Sequence, residues 1–168
     1  MSLEKLMHNY AEYNVWANQT IANWLGTKPL ALLQKEVASS FPSVIKTLSH
    51  LLDTEKFWLG ILQGSARQPW QEFTGNDAEV IPKLLKQSES FCTYVKSLHE
   101  AELLGPCEID APWVKGQMPK YEFIQHCITH GAYHRGQIIT IARNVGITDP
   151  PMTDYNYYNM VIKGRDGK

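Results

Sequence analysis

The chain has 168 residues, 43% apolar and 20% charged, a composition that suits one soluble globular domain over 1–168 and excludes a disordered or fibrous chain. Sixteen Lys and Arg nearly balance seventeen Asp and Glu with no basic stripe, which argues against nucleic acid as a partner. The opening MSLEKLMHNYAEYN lacks an apolar leader core, no stretch reaches membrane-span length, and Cys92, Cys107 and Cys127 are odd in number and scattered, so the expectation is a cytoplasmic protein with reduced thiols and no membrane partner.

Ser2 is placed to cap a long first helix on which Leu3, Leu6, Met7, Tyr10, Tyr13, Ala17, Ile21 and Trp24 recur every three or four residues, with Gly26 and Pro29 at its end. After PLALLQKEVA, Ser39 and Ser40 ahead of Phe41 and Pro42 predict the cap and first turn of a second helix running to about Gly64. Ser65 to Asn76 reads as a loop, and Asp77 then opens a third helix that reaches towards Leu104, with Pro82 in its first turns. Gly105 to Gln117 has two prolines and two glycines around the β-prone pieces CEI and PWV, which predicts a connection with a short hairpin. Pro119 leads into YEFIQHCITHGAYHRGQIITIARNV, an apolar-periodic fourth helix that stops at Gly146. In the tail, Thr153 or Asp154 can cap a short tyrosine-rich helix. Four long helices with long connections and short extra helices predict an all-α four-helix bundle.

The fourth helix carries the chemistry. His126, His130 and His134 are spaced by four, so each drifts only about 40° around the axis from the last. With His126 at zero, Phe123 and Ile141 fall near about 60°, Cys127 and Val145 near about 100° and Ile138 near about 120°, which points His130 and His134 into the apolar face and leaves His126 at its edge. Two imidazoles one turn apart in an apolar interior are costly when charged and hard to satisfy when neutral, and a shared metal ion removes the difficulty. A pair of core histidines bonded to backbone or side chains is the competing reading of the same spacing. On the second helix His50 lies off the main face of Val44, Leu48, Leu51, Leu52, Leu59 and Leu62, on a second stripe with Thr47, Thr54, Phe57 and Ile61. His8 and His99 have no partner at ligand spacing and are read as solvated or structural.

Four pieces taken together, YNVWANQTI, SFPSVIKTLSHLLDTEKFW, HCITHGAYHRGQI and RNVGITDPPMTD, resemble the DinB/YfiT-like family over essentially the whole chain. The resemblance implies a four-helix bundle of up-down-down-up connectivity and a homodimer. It also implies a divalent metal, zinc or nickel by the preference of imidazole donors, held by one histidine of the second helix and two of the fourth, here His50, His130 and His134. His126 appears in the family pattern without serving the metal, which agrees with its place on the wheel. Gln137, near about 20°, can reach the ligand side, whereas Arg135, near about 180°, is expected to make structural or interface contacts. Cys127 could offer a thiolate but ranks as a packing residue. Asp154 is expected either to orient a ligand histidine through its free ring nitrogen or to cap the last helix. The aromatics of the first helix and Tyr155, Tyr157 and Tyr158 are expected either in the core or at the dimer contact.

Three imidazoles leave a divalent cation an open position, which is the arrangement of a catalytic site. The superfamily resemblance favours a metal-dependent thiol transferase that uses a low-molecular-weight thiol as co-substrate with a small-molecule substrate. A metal-dependent hydrolase and a non-catalytic metal-binding stress-response protein are the alternatives. The catalytic residues themselves are not identified by the sequence.

Overall fold

The computed structural model describes residues 2–164. Helix α1 runs Leu3–Leu25, with the Ser2 side chain accepting a hydrogen bond from the Lys5 amide as its cap. A five-residue α2, Leu30–Gln34, follows. The second long helix, α3, spans Val44–Leu62 and starts later than the pattern of Ser39 and Ser40 suggests. Ser43 is its cap, in extended backbone (φ −146°, ψ 166°) with its hydroxyl on the Lys46 amide at 3.2 Å. Phe41 and Pro42 therefore lie in the bend before the helix, and Pro42 is held there by its carbonyl accepting from the Val37 amide at 2.8 Å.

The expected third helix is three pieces. Asn76, not Asp77, caps a short 3-10 turn at Asp77–Glu79; α4 covers Val80–Ser97; and α5 covers Glu100–Leu104. The break falls at Leu98, whose extended backbone (ψ 131°) lets His99 start α5 through a capping box with Glu102. The hairpin forms, with β1 (Pro106–Ala111) and β2 (Val114–Pro119) antiparallel and Ala111 paired with Val114 around the Pro112–Trp113 turn. Helix α6, Lys120–Asn144, is followed by Gly146 at φ +92°, a left-handed C′ position that glycine adopts without strain. A short α7, Tyr155–Tyr157, continues into a π turn at Tyr158–Ile162. No helix among the described residues is long and apolar enough to cross a membrane.

The four long helices form a bundle in which α1 packs on α4 and α6, and α3 packs on the same two. Helices α1 and α3, consecutive long helices in the chain, thus face each other across the bundle. The tail aromatics return to α1: Tyr155 stacks on Tyr10 at 4.5 Å, and Tyr158 lies 5.2 Å from the Trp16 ring. Those rings therefore have packing partners within the chain.

The core falls into two apolar halves. One joins Met7 to Ala17 of α1 with Phe57 to Leu62 of α3, Phe91 and Val95 of α4, the hairpin and Phe123 to Ile128 of α6. The other joins Ile21 and Leu25 with Val44 to Leu52, Val80, Leu84 and Ile138 to Val145. Between them lies a buried polar layer with a member from every long helix: Asn14 and Asn18, Glu55, Ser88 and Arg135. Arg135 donates to the side-chain oxygens of Asn14 (3.1 Å) and Asn18 (2.8 Å). Both asparagines donate in turn to Glu55 Oε1, at 2.7 and 3.0 Å, and Ser88 donates to Glu55 Oε2 at 2.8 Å. Two amides thus relay between a buried cation and a buried carboxylate, the usual condition for keeping such charges inside. Gly131 makes room for the layer, since a Cβ there would sit 3.1 Å from Arg135 Nη1 and 3.3 Å from Asn14 Oδ1.

Candidate metal centre

On α6, His134 directly precedes Arg135 of the polar layer. His50 comes from the middle of α3, and His130 and His134 from successive turns of α6. Their rings converge, with centroids 4.6 Å apart for His50–His134, 5.3 Å for His50–His130 and 4.4 Å for His130–His134. One nitrogen from each lies within 4.8 Å of the other two, close enough for all to share one ion. The structure therefore brings together the three residues named from the sequence, including His50, which lies off the main apolar stripe of its helix.

Each ring is oriented by its surroundings. His134 Nδ1 donates to Gln137 Oε1 at 2.8 Å, and Gln137 donates to Ser39 Oγ at 2.9 Å. That bond leaves the His134 Nε2 lone pair free and aimed at His130 Nε2, 3.2 Å away. His50 stacks on Phe41 at 4.2 Å, and Thr54 Oγ1 lies 3.4 Å from its Nε2. The late start of α3 matters here, because it is the bend at 39–43 that carries Phe41 and Ser39 to the site.

Burial, reinforced by the neighbouring His134, holds His50 down at about 4. Burial and the other three imidazoles of the cluster hold His130 at about 4 as well. Burial also lowers His134, with Gln137 opposing, and lowers His126. The rings are therefore neutral near pH 7, the protonation state in which imidazole can be a ligand.

This donor set fits a divalent cation. In the protein alone, the contact between the two ring nitrogens needs His130 to donate from Nε2, which leaves its buried Nδ1 as a bare acceptor with no hydrogen-bond partner. A cation shared by the cluster removes that demand.

The other candidates separate clearly. His126 faces a cavity next to the cluster and meets the Trp58 ring edge-on at 4.7 Å. Burial pushes the Cys127 thiol well above its ordinary value, so it packs as an uncharged core residue. Asp154 precedes α7, but its side chain makes no capping bond, and the orienting role offered to it belongs to Gln137. Arg135 makes structural contacts, inside the bundle. His8 donates to the Leu98 carbonyl at 3.2 Å and His99 starts α5, both structural roles.

The sequence reading missed Glu55, Asn14, Asn18 and Ser88. The signal was present only in part, as two asparagines four apart on the buried side of α1.

Two cavities flank His50. One, of about 380 Å³, is walled by His50, Thr54, Phe57, Trp58, Trp70, Trp113, His126 and His130. The other, of about 230 Å³, is more polar and holds Lys46, Ser49, Asp53 and Glu72 between Phe41 and Phe73, with Trp70 common to both.

The DinB family profile matches residues 1–165. The chain belongs to the DinB family. Protein DinB of Bacillus subtilis (strain 168) is 32% identical over 163 residues, covering 90% of this chain and 92% of that protein. Among solved structures, a DinB-like protein from Bacillus cereus ATCC 10987 superposes with a TM-score of 0.68 at 16% identity, covering 85% of this chain and 95% of that one. YfiT from Bacillus subtilis, described as a probable metal-dependent hydrolase with an unusual four-helix bundle topology, superposes with a TM-score of 0.69 at 12% identity, covering 88% and 91%. At such identities these two structures establish the bundle fold that this DinB-family chain shares.

Proposed function

We propose that the protein is a metal-dependent enzyme in which His50, His130 and His134 together hold one divalent cation, zinc or nickel, and that it transfers a low-molecular-weight thiol to a small electrophilic substrate. The observation that carries the metal reading is the convergence of three neutral imidazoles, with one nitrogen of each within 4.8 Å of the others and the Nε2 atoms of His130 and His134 facing each other at 3.2 Å. When bound, such an ion supplies a Lewis-acid centre with an open position, at which a coordinated water or thiol loses its proton near neutral pH.

The chain's own residues do the rest. Gln137 holds the His134 tautomer, Phe41 fixes the His50 ring plane, and Trp70 and Trp113 give apolar walls to the face on which a substrate would approach. Thiol transfer suits this face because it needs no carboxylate base, and among the described residues no Asp or Glu lines the cavity shared by His50 and His130.

Hydrolysis is the second reading. It is favoured by the description of YfiT and by His126, an imidazole at the cavity wall that can accept a proton from water.

Two measurements test the proposal. Elemental analysis of protein purified without added metal should find about one equivalent of zinc or nickel per chain. A His130→Ala variant should lose it, and full metal content in that variant would refute the site. Metal-loaded protein should then conjugate a small thiol to monochlorobimane above the uncatalysed rate; turnover of esters or amides with no thiol present would decide for the hydrolase instead.

A further inference from the structure

We propose that the groove leading from His50 and His130 past Trp113 to the hairpin binds the neutral, apolar part of the substrate, an aryl or alkyl group, and discriminates against charged ones. This deepens the reading above and rests on the histidines being the reacting centre.

Next to the cluster, Phe57, Trp70 and Trp113 form a three-sided corner, with ring centroids 5.8, 5.4 and 6.3 Å apart and the two indoles nearly perpendicular at 87°. Rings meeting at such angles leave faces and edges open to a further aromatic guest. A third cavity, of about 460 Å³, shares Trp58, Trp113 and His126 with the 380 Å³ cavity, and these two form one groove that continues along the hairpin. Its far walls include Ile109, Val114, Met118 and Phe123. Trp113 is 58% exposed and Val114 and Met118 are each 43% exposed, so three large apolar side chains line an open groove where water would otherwise stand.

Charge decides the class of ligand. Neither cavity is lined by an Asp or Glu, and the one Lys, Lys115, is occupied by Asp110 at 2.6 Å. An ion placed in such walls gives up its hydration without gaining a counter-charge, whereas an apolar group gains by leaving water. A cation would also approach the divalent charge that the neutral histidines would hold, whereas an anion would meet that charge as a counter-ion, so the discrimination against both signs is read in the zinc-free protein. Polar parts of a substrate have a separate place on the other side of Trp70, beside Lys46, Ser49 and Asp53.

The test uses the full-length protein with three probes that carry the same ring: 2-naphthylmethanol, 2-naphthoate and 2-naphthylmethyl-trimethylammonium. Binding is followed by tryptophan fluorescence and by indole N–H resonances, with and without zinc. In the zinc-free protein the neutral probe should bind at least about tenfold tighter than either ion and shift the Trp70 and Trp113 indoles. Trp113→Ala should weaken it by at least about tenfold, while Met160→Ala, at an exposed apolar residue outside the groove, should not. Equal or tighter binding of a charged probe to the zinc-free protein, or an unchanged affinity in Trp113→Ala, would overturn the proposal. So would a self-associated protein that Trp113→Ala dissociates and that binds no probe, since the groove would then hold a second copy of the chain. Zinc retained without probe binding removes the groove assignment alone; probe binding without zinc retention removes the metal reading and leaves the groove.

Discussion

Gln137 joins two parts of the site at once, because one amide orients His134 and the same amide grips Ser39 in the bend before α3. Loss of such an orienting bond typically weakens metal binding by about 10–100-fold, so Gln137→Ala should show that loss in competition with a chelating dye while its melting temperature stays near that of the unmodified protein. The helical spacing made His130, His134 and Gln137 legible, since all of them depend only on the turn of one helix. His50 was different. Its helix buries the stripe that His50 shares with Thr47, Thr54, Phe57 and Ile61 as well as the main apolar face, and what brings His50 to the cluster is the approach of α3 to α6 together with the Phe41 ring, neither of which periodicity within one helix can express.

At the level of elements, starts and stops were harder to read than helices. The second long helix could begin at any of the serines 39, 40 and 43, and Ser43 prevails because the two before it belong to the bend that Pro42 and Val37 close. Ser43→Ala should cost about 1 kcal/mol of stability, read as a shift of the urea midpoint. Its metal content should also fall if the bend loosens and takes Phe41 with it. The third helix broke where no Pro or Gly announced it. His99 is an unusual cap residue, and its box with Glu102 is visible only once Leu98 is seen turning its side chain into the core. The hairpin, by contrast, could be read from its β-prone pieces and the prolines around them.

For the whole molecule, the division of the core by a polar layer was not legible. Arg135 was expected at structural or interface contacts without a named partner, Glu55 carried no signal of its own, and only the alignment of four helices puts them in one buried layer. Burial raises the Glu55 carboxyl above its ordinary value, against the hydrogen bonds of Asn14, Ser88 and Asn18 and the charge of Arg135. Arg135→Met should therefore cost about 3–5 kcal/mol in chemical unfolding, because it leaves the carboxylate and two amides without their cation. The histidine cluster gives the molecule a second global property. In metal-free protein the folded His50 and His130 sit at about 4 against an ordinary 6.5, so between those pH values the unfolded chain binds protons that the folded chain does not. Their contribution to stability is thus intact above about 6.5 and falls as pH drops towards about 4. Melting temperatures at pH 7 and pH 5 should show the drop, and a His50→Ala, His130→Ala double variant should show less of it. Glu55, with its raised carboxyl, acts in the opposite sense in both proteins and cancels in the comparison.

The polar layer also bears on how the chain finds its native arrangement. Apolar helices can pack on one another in several alignments that differ by a turn and bury similar amounts of greasy surface. Here a slide of α6 by one turn would drive the Arg135 guanidinium into an aliphatic half of the core and leave Glu55, still hydrogen-bonded by Asn14, Asn18 and Ser88, without its counter-charge. The layer therefore works as a detent: it penalises misaligned bundles during assembly, and in setting Arg135 it sets the angular position of its neighbour His134.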